Sequence, residues 1–160
     1  MPWVGAQKTI EVYRLAEAGA SFLFRAPTPG RGAAAFAINS NQVAYWGHEQ
    51  PDDTLRRPLL LTLEGVTRLG PDTAENPGRI QITDHHAAYS FYSSPLSFVE
   101  ATVIELNDGV LGTRQRVATG PSEVLDLNDE RILIGRPRGQ ENEPSGDIWV
   151  QFLRNDRETP

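Results

Sequence analysis

The sequence contains no cysteine. Disulfide bonds, thiolate nucleophiles and cysteine-ligated zinc or iron–sulfur sites are therefore excluded. Long apolar runs are also missing: no stretch approaches the roughly 20 apolar residues that a membrane-spanning helix needs. Residues 1–14 have no basic region followed by an apolar run, so they do not form a secretory signal. We therefore expect a soluble protein in the cytoplasm or within an assembled particle.

Positive charge is also scarce. Lys8 is the only lysine, and 15 basic residues face 21 acidic ones, which gives a net charge of −6. This balance disfavours nucleic acids and anionic membranes as partners, because both need a basic surface. The predicted partners are instead a carbohydrate or a protein, with homo-oligomer formation left open. No cofactor is predicted.

The length and the turn residues together predict the fold class. The chain has 160 residues, which suits a single all-β domain spanning 1–160. Its glycines and prolines lie between short runs rich in β-formers, and turn signals recur every ~8–12 residues. This pattern predicts an antiparallel β-sandwich or a closed β-barrel of about 8–10 strands. A β-trefoil is the alternative, because the triplets AYW, AYS and IWV at 44–46, 88–90 and 148–150 suggest an uneven threefold repeat.

Some individual elements are predicted more sharply. Asp108-Gly109 lies between two β-rich runs and is the strongest hairpin signal. Residues 122–134 predict two strands around Asn128-Asp129, with a short helix capped by Ser122 as the alternative. The polar residues 136–146 predict a long loop. The run from Arg79 to Tyr92 is long for one strand, so we expect a bend, or a junction of two strands, near Asp84–His85.

Asp84 and His86 form the first candidate site. If they lie in one strand, their side chains share a face, where they are suited to bind a ligand or to act as an oriented acid–base pair. A metal site needs at least one further ligand, for which His48 is the candidate. The alternative is a strand edge with a histidine that is already hydrogen-bonded. The metal motifs H-x-H with a downstream glutamate and H-E-x-x-H are both absent.

A second candidate lies around Trp46. The segment WGHEQ at 46–50, with Asn39 before it, resembles one half of the galectin sugar site. That resemblance implies that Trp46 stacks on a sugar while Asn39 and Glu49 bind its hydroxyl groups. The other half, H-x-N-x-R, is missing, since the preceding strand reads FLFRAPTPGRG. The alternative is a core tryptophan followed by a polar loop.

The remaining motifs predict no catalytic residue and no metal site. The acidic residues 126–130 resemble a calcium loop, but Arg131 and Pro137 occupy the positions where an EF-hand needs glycine and glutamate. The segment 136–139 is a small basic tip suited to an acidic partner. No nucleophile elbow and no glycine-rich phosphate loop is present. The aromatic cluster of Tyr89, Phe91 and Tyr92 is typical of a binding surface.

These patterns lead to one functional hypothesis and two alternatives. The hypothesis is a non-catalytic β-domain that binds a carbohydrate, another small polar ligand or a protein through an aromatic and polar surface. The alternatives are a structural subunit of a particle, and a small barrel enzyme that uses Asp84 and His86. No catalytic residue and no metal site is assigned. The predicted ligand-binding residues are Trp46, His48, Glu49, Asp84, His86 and Tyr89.

Overall fold

The computed structural model describes residues 8–30, 32–39, 41–94, 97–98, 101–107, 110–117, 122–136 and 147–153. Of residues 93, 94, 97, 98, 136, 147 and 149 it describes the backbone only. Within these ranges the regular structure is entirely β. The strands are β1 (Thr9–Ala16), β2 (Gly19–Pro27), β3 (Ala34–Ile38), β4 (Val43–Gly47), β5 (Arg57–Thr62), β6 (Gly65–Arg68), β7 (Asn76–Ile82), β8 (His86–Ser94), β9 (Ser97–Phe98), β10 (Ala101–Asn107), β11 (Val110–Val117), β12 (Glu123–Leu127), β13 (Arg131–Arg136) and β14 (Asp147–Phe152).

The described strands form four antiparallel sheets in chain order. Sheet 1 is the hairpin β1-β2, and sheet 2 is the meander β3-β4-β5-β6. Sheet 3 has the order β7-β8-β10-β11, with β9 added to β8, and sheet 4 is β12-β13-β14. Paired strands lie close together in the sequence, so each sheet is specified largely by its own segment of sequence.

The four sheets pack face to face in a row. Three apolar clusters fill the spaces between them: one between sheets 1 and 2, one between sheets 2 and 3, and one between sheets 3 and 4. The first strand of sheet 3, β7, contacts β3 and β4 of sheet 2 on one side and β12 of sheet 4 on the other. The inner strands of sheets 2 and 3 are therefore covered on both faces, whereas Phe36 and Ile38 on the edge strand β3 are 57% and 62% exposed. Among the described sheets, sheets 1 and 4 each have one covered face.

Strand β4 shows why the inner strands are apolar without a break. Its side chains alternate between two clusters: Val43 and Tyr45 pack toward sheet 1, while Ala44 and Trp46 pack toward sheet 3. All four residues are buried. A strand with one solvated face would alternate apolar and polar residues, but a strand covered on both faces needs apolar residues throughout.

One turn is built three times. The turn begins directly after the first strand of sheets 2, 3 and 4, at Asn39, Thr83 and Asn128 respectively. In each turn the side-chain oxygen of that residue accepts hydrogen bonds from the backbone N–H groups two and three residues later. Its own backbone N–H donates to the carbonyl of the residue three positions on. The three residues are spaced 44 and 45 positions apart in the sequence. Each turn joins the first two strands of a shared antiparallel order, β3-β4-β5, β7-β8-β10 and β12-β13-β14, so sheets 2, 3 and 4 repeat one arrangement.

The predicted all-β, sandwich-like class is confirmed, and the described strands close no barrel. The described residues form 14 strands and not the predicted 8–10, because the run from Arg79 to Tyr92 divides into two strands and short strands such as Ser97–Phe98 add to the count. Residues 122–134 form the two predicted strands β12 and β13, not a helix. The predicted junction near Asp84–His85 is the turn between β7 and β8. Strands β10 and β11 pair as expected, while the predicted Asp108-Gly109 turn lies outside the described residues, as do most of the loop 136–146 and the basic tip. The described residues include no helix long and apolar enough to cross a membrane.

Candidate functional site

Trp46 lies in the core between sheets 2 and 3. Its side chain has no exposed surface, and its ring makes edge-to-face contacts with Tyr89 and Phe91 at centroid distances of 5.4 and 5.9 Å. Such pairs stabilise a core beyond their buried area. Burial on all sides removes the open ring face that stacking on a sugar requires. The structure thus places Trp46 as the core tryptophan that was the alternative interpretation of the motif.

Tyr89 is also a core residue, with a polar contact at its tip. Its hydroxyl donates a hydrogen bond of 2.5 Å to Oδ2 of Asp72, and the guanidinium of Arg114 donates one of 2.7 Å to the same oxygen. Burial, followed by the hydrogen bond to Asp72, raises the pKa of Tyr89. This network fixes the loop that precedes β7 across the end of the core. Tyr89 therefore contributes its hydroxyl to a structural network rather than to a surface open to ligand.

Glu49 follows β4 and is held by two arginines. Arg68 donates from Nε and from a terminal nitrogen to its two carboxylate oxygens at 2.5 Å each, and Nε of Arg57 lies 3.0 Å from the carboxylate. Mainly because of the hydrogen bond from Arg68, the pKa of Glu49 is lowered. The sheet register explains this cluster, because β5 begins and β6 ends beside the end of β4. Glu49 is therefore a partly exposed carboxylate that two arginines hold in place.

His48 is buried beside the loop that precedes β3. A Cβ atom placed on Gly30 would lie 2.5 Å from Nδ1 of the imidazole, and Gly30 has a φ of +65°. Both the space and the backbone conformation therefore demand glycine at this position. Asp53 lies nearby and accepts hydrogen bonds from the backbone N–H groups of Glu49 and Gln50, which contribute to its lowered pKa. This arrangement orders the loop after β4.

Asp84 and His86 do not occupy one strand face. Asp84 is exposed in the tight turn that Thr83 caps, whereas His86 is buried and begins β8 opposite Glu105 of β10. The turn interrupts the alternation that the shared-face prediction assumed. His86 borders a cavity of about 20 Å³, enough for one water molecule. The cavity is lined by His86, Val103, Glu105, Thr113, Gln115 and Leu153.

The structure does not bring His48 together with Asp84 and His86. The turn of Asn39, just before β4, bonds to the carbonyl of Thr83, while His48 comes just after β4. A five-residue strand is about 16 Å long, so His48 lies far from Asp84 and His86. Among the described residues no group of three histidine, aspartate or glutamate side chains is placed to hold a metal ion.

Two apolar surfaces were not recognised from the sequence. The first, the sheet 1 outer face, consists of Tyr13, Leu15 and Phe22 on the side of the hairpin away from sheet 2. Val12 and Ala26 occupy the inner side and are buried. Leu15 is 83% exposed, and the rings of Tyr13 and Phe22 meet edge to face at 5.7 Å.

The second surface, the sheet 4 outer face, consists of Ile148, Val150 and Phe152 on β14. Ile132 and Ile134 of the neighbouring strand point inward and are fully buried, which assigns the β14 residues that pair with Arg131, Leu133 and Gly135 to the other side. Phe152 is 72% exposed. Alternation along β14 was visible in the sequence, but the side that other sheets leave uncovered was not.

The arginines that hold Glu49, and the Asp72 that holds Tyr89, were also missed. Arg68 lies 19 residues from Glu49, and Asp72 lies 17 residues from Tyr89. No local pattern marks these pairs, because only the folded sheets and the loop before β7 bring the partners together.

Comparison with known proteins finds no family model, no curated protein and no solved structure that matches the chain.

Proposed function

We propose that this protein is a non-catalytic β-domain that binds a protein partner through the apolar outer faces of its end sheets. The observation that carries the proposal is the exposure of large apolar side chains on both faces, with Leu15 at 83% and Phe152 at 72%. Single exposed apolar residues are common on protein surfaces, but contiguous groups of them mark interaction sites.

The geometry of the two faces indicates the chemistry of the partner. Each face is part of a regular sheet, so it offers rows of side chains and not a pocket. On the sheet 1 outer face the charged residues Glu11 and Arg25, which pair across the strands, border the apolar residues. On the sheet 4 outer face the guanidinium of Arg131 lies over the ring of Phe152 at 5.5 Å. The matching partner is a protein with an apolar sheet face and a charged border.

Binding of a carbohydrate or a small polar ligand stays a prediction with less support. Its aromatic residues, Trp46 and Tyr89, are core residues, and the carboxylate of Glu49 is engaged by two arginines. The enzyme alternative relied on Asp84 and His86 sharing a strand face, which the turn at Asp84–His85 does not provide. The particle-subunit alternative is favoured by a specific observation, the presence of an apolar face at both ends of the row of sheets.

The proposal is tested by site-specific photo-crosslinking in living cells. Benzoylphenylalanine replaces Leu15 or Val150 on the outer faces, and Thr67, an exposed residue of β6, serves as the control position. We expect protein adducts from the two face positions and none from position 67, with mass spectrometry identifying the crosslinked peptides. Folded variants that give no adduct at either face, or equal adducts at all three positions, would overturn the proposal.

A further inference from the structure

We infer that the partner is a second copy of this chain, stacked head to tail so that the sheet 4 outer face of one copy covers the sheet 1 outer face of the other. This inference rests on the proposed function and names its partner. It follows from the internal repeat, because the repeat shows which surface each exposed face is built to meet.

The repeat first identifies the sheet 1 outer face. Strands β1, β5 and β10 each end in a hairpin whose closing pair spans three positions: Ala16 with Gly19, Thr62 with Gly65, and Asn107 with Val110. The residue before each closing pair is a leucine, at positions 15, 61 and 106. Leu61 and Leu106 are 2% and 1% exposed and pack against the preceding sheet, whereas Leu15 is 83% exposed.

The residue two positions earlier behaves in the same way. Leu59 and Ile104 are buried against the preceding sheet, and their equivalent Tyr13 is 47% exposed. The sheet 1 outer face is thus the surface that sheets 2 and 3 use to cover the sheet before them. In the described structure no sheet lies before sheet 1 to be covered.

The repeat identifies the sheet 4 outer face by the same argument. Counting five residues from the turn positions 39, 83 and 128 gives Ala44, Ala88 and Leu133, which pair with Leu60, Val103 and Val150 respectively. Leu60 is completely buried and Val103 is 4% exposed, because each packs against the following sheet. Val150 is 55% exposed. The sheet 4 outer face is the surface that sheets 2 and 3 present to the sheet after them.

The two exposed faces are therefore of opposite and complementary kind. At every contact between described sheets, the following-side face of one sheet meets the preceding-side face of the next. Among the described sheets, only sheets 4 and 1 have a face of these two kinds that no neighbouring sheet packs against, and a second copy brings these two faces together without a new kind of contact. The capping units of repeat arrays have polar outer faces, whereas the uncovered faces of the described sheets 1 and 4 carry large apolar side chains.

A head-to-tail contact joins two different patches, so it continues the row of sheets and closes into a ring when the geometry permits. Antiparallel sheets that repeat along the chain and pack face to face are the construction principle of propellers and related arrays, and in this chain the repeated turns are 44 and 45 residues apart. If two copies instead paired through identical faces, the contact would join two surfaces of the same kind. No contact between described sheets is of that type.

The experiment uses analytical ultracentrifugation and light scattering on the full chain over a wide concentration range. We expect the wild-type protein to form dimers or larger closed assemblies. Leu15→Arg and Val150→Arg each place a charge on one face, and each is expected to weaken self-association roughly thirtyfold or more. Leu63→Arg is the matched control, because Leu63 is 72% exposed in the β5–β6 turn and belongs to neither face. Circular dichroism checks the fold of each variant.

Mixing the two face variants distinguishes the arrangement. In a head-to-tail assembly, Leu15→Arg keeps an intact sheet 4 outer face and Val150→Arg keeps an intact sheet 1 outer face, so the mixture regains one junction and forms a heterodimer. A strictly monomeric wild-type protein would overturn the inference, as would a single-face variant that associates as well as the wild type. Photo-crosslinked adducts that contain only other proteins would overturn the inference while leaving the proposed function intact; absence of adducts at the faces would remove both.

Discussion

The side-chain amide of Asn39 donates a hydrogen bond of 2.9 Å to the backbone carbonyl of Thr83. These two residues occupy the same position in the repeated turn, so the bond links one repeat unit to the next. At the same time the Oδ1 atom of Asn39 accepts hydrogen bonds from the backbone N–H groups of Asn41 and Gln42, which shapes its own turn. One side chain thus stabilises a local turn and the contact between two sheets.

The substitution Asn39→Asp separates the two roles, because it keeps the acceptor oxygen and removes the amide donor. We expect it to lower the free energy of unfolding by about 1–2 kcal/mol, since the carbonyl of Thr83 loses its partner and faces a carboxylate. Asn128→Asp is the matched control: Asn128 makes the same two turn bonds. Urea unfolding measures both variants, and equal losses of stability would contradict the link between the turns.

Trp46→Ala tests whether Trp46 belongs to the core or to a binding site. The side chain is fully buried against Tyr89 and Phe91, so we expect the free energy of unfolding to fall by about 3–5 kcal/mol. Trp46→Phe keeps a ring between the sheets and should cost clearly less. Thermal and denaturant unfolding give the values. An alanine variant as stable as the wild type would show that the indole does not support the core.

Tyr45 makes the stability sensitive to alkaline pH. Burial raises its pKa from the usual 10.0 to about 12. Because the folded state disfavours the phenolate, the stabilisation is fully present below pH 10 and is lost as the pH rises from about 10 to 12. Tyr45→Phe should therefore lose stability less steeply over that interval. Denaturant unfolding from pH 8 upward compares the slopes, and identical slopes would mean that Tyr45 does not titrate with unfolding.

Two strand glycines should respond differently to substitution by alanine. At Gly78 the added Cβ would lie 2.6 Å from the backbone oxygen of Ser90, which cannot move without shifting β8. We expect Gly78→Ala to lower the free energy of unfolding by about 1–3 kcal/mol. At Gly135 the nearest atom is 3.2 Å away, on the flexible side chain of Leu125, so Gly135→Ala should remain within about 1 kcal/mol of the wild type. The reverse order of stability in thermal unfolding would contradict this account.

The sequence indicated a threefold repeat but placed its last member in the wrong position. The triplets at 44–46 and 88–90 are 44 residues apart and do occupy equivalent places on β4 and β8. The third triplet was sought at 148–150, although the equivalent residues begin at Leu133 on β13. The turn residues Asn39, Thr83 and Asn128 carry a clearer signal, since each caps a turn by the same bonds. These polar residues show the length of the repeat because each one is needed to form its own turn.

Individual predicted site residues could not be placed for a related reason. Periodicity assigns side chains to two faces of a strand but does not say which faces other sheets cover. Trp46 and Leu15 are both large apolar residues on strands, and only the neighbouring sheets make one fully buried and the other 83% exposed. Arg68 and Asp72, the partners of Glu49 and Tyr89, likewise lie 19 and 17 residues away in the sequence and meet them only in the folded structure.

The sequence by itself determined the strands, their hairpins and the all-β class, because alternation, β-branched residues and turn residues act over a few positions. It also excluded chemistry that needs cysteine. The tertiary structure decided the rest: that the sheets stack in a row, that Trp46 and Tyr89 lie inside it, and that apolar faces remain at both ends. These features depend on contacts between different sheets, such as the contact between Trp46 and Tyr89, where no local pattern specifies which surfaces meet.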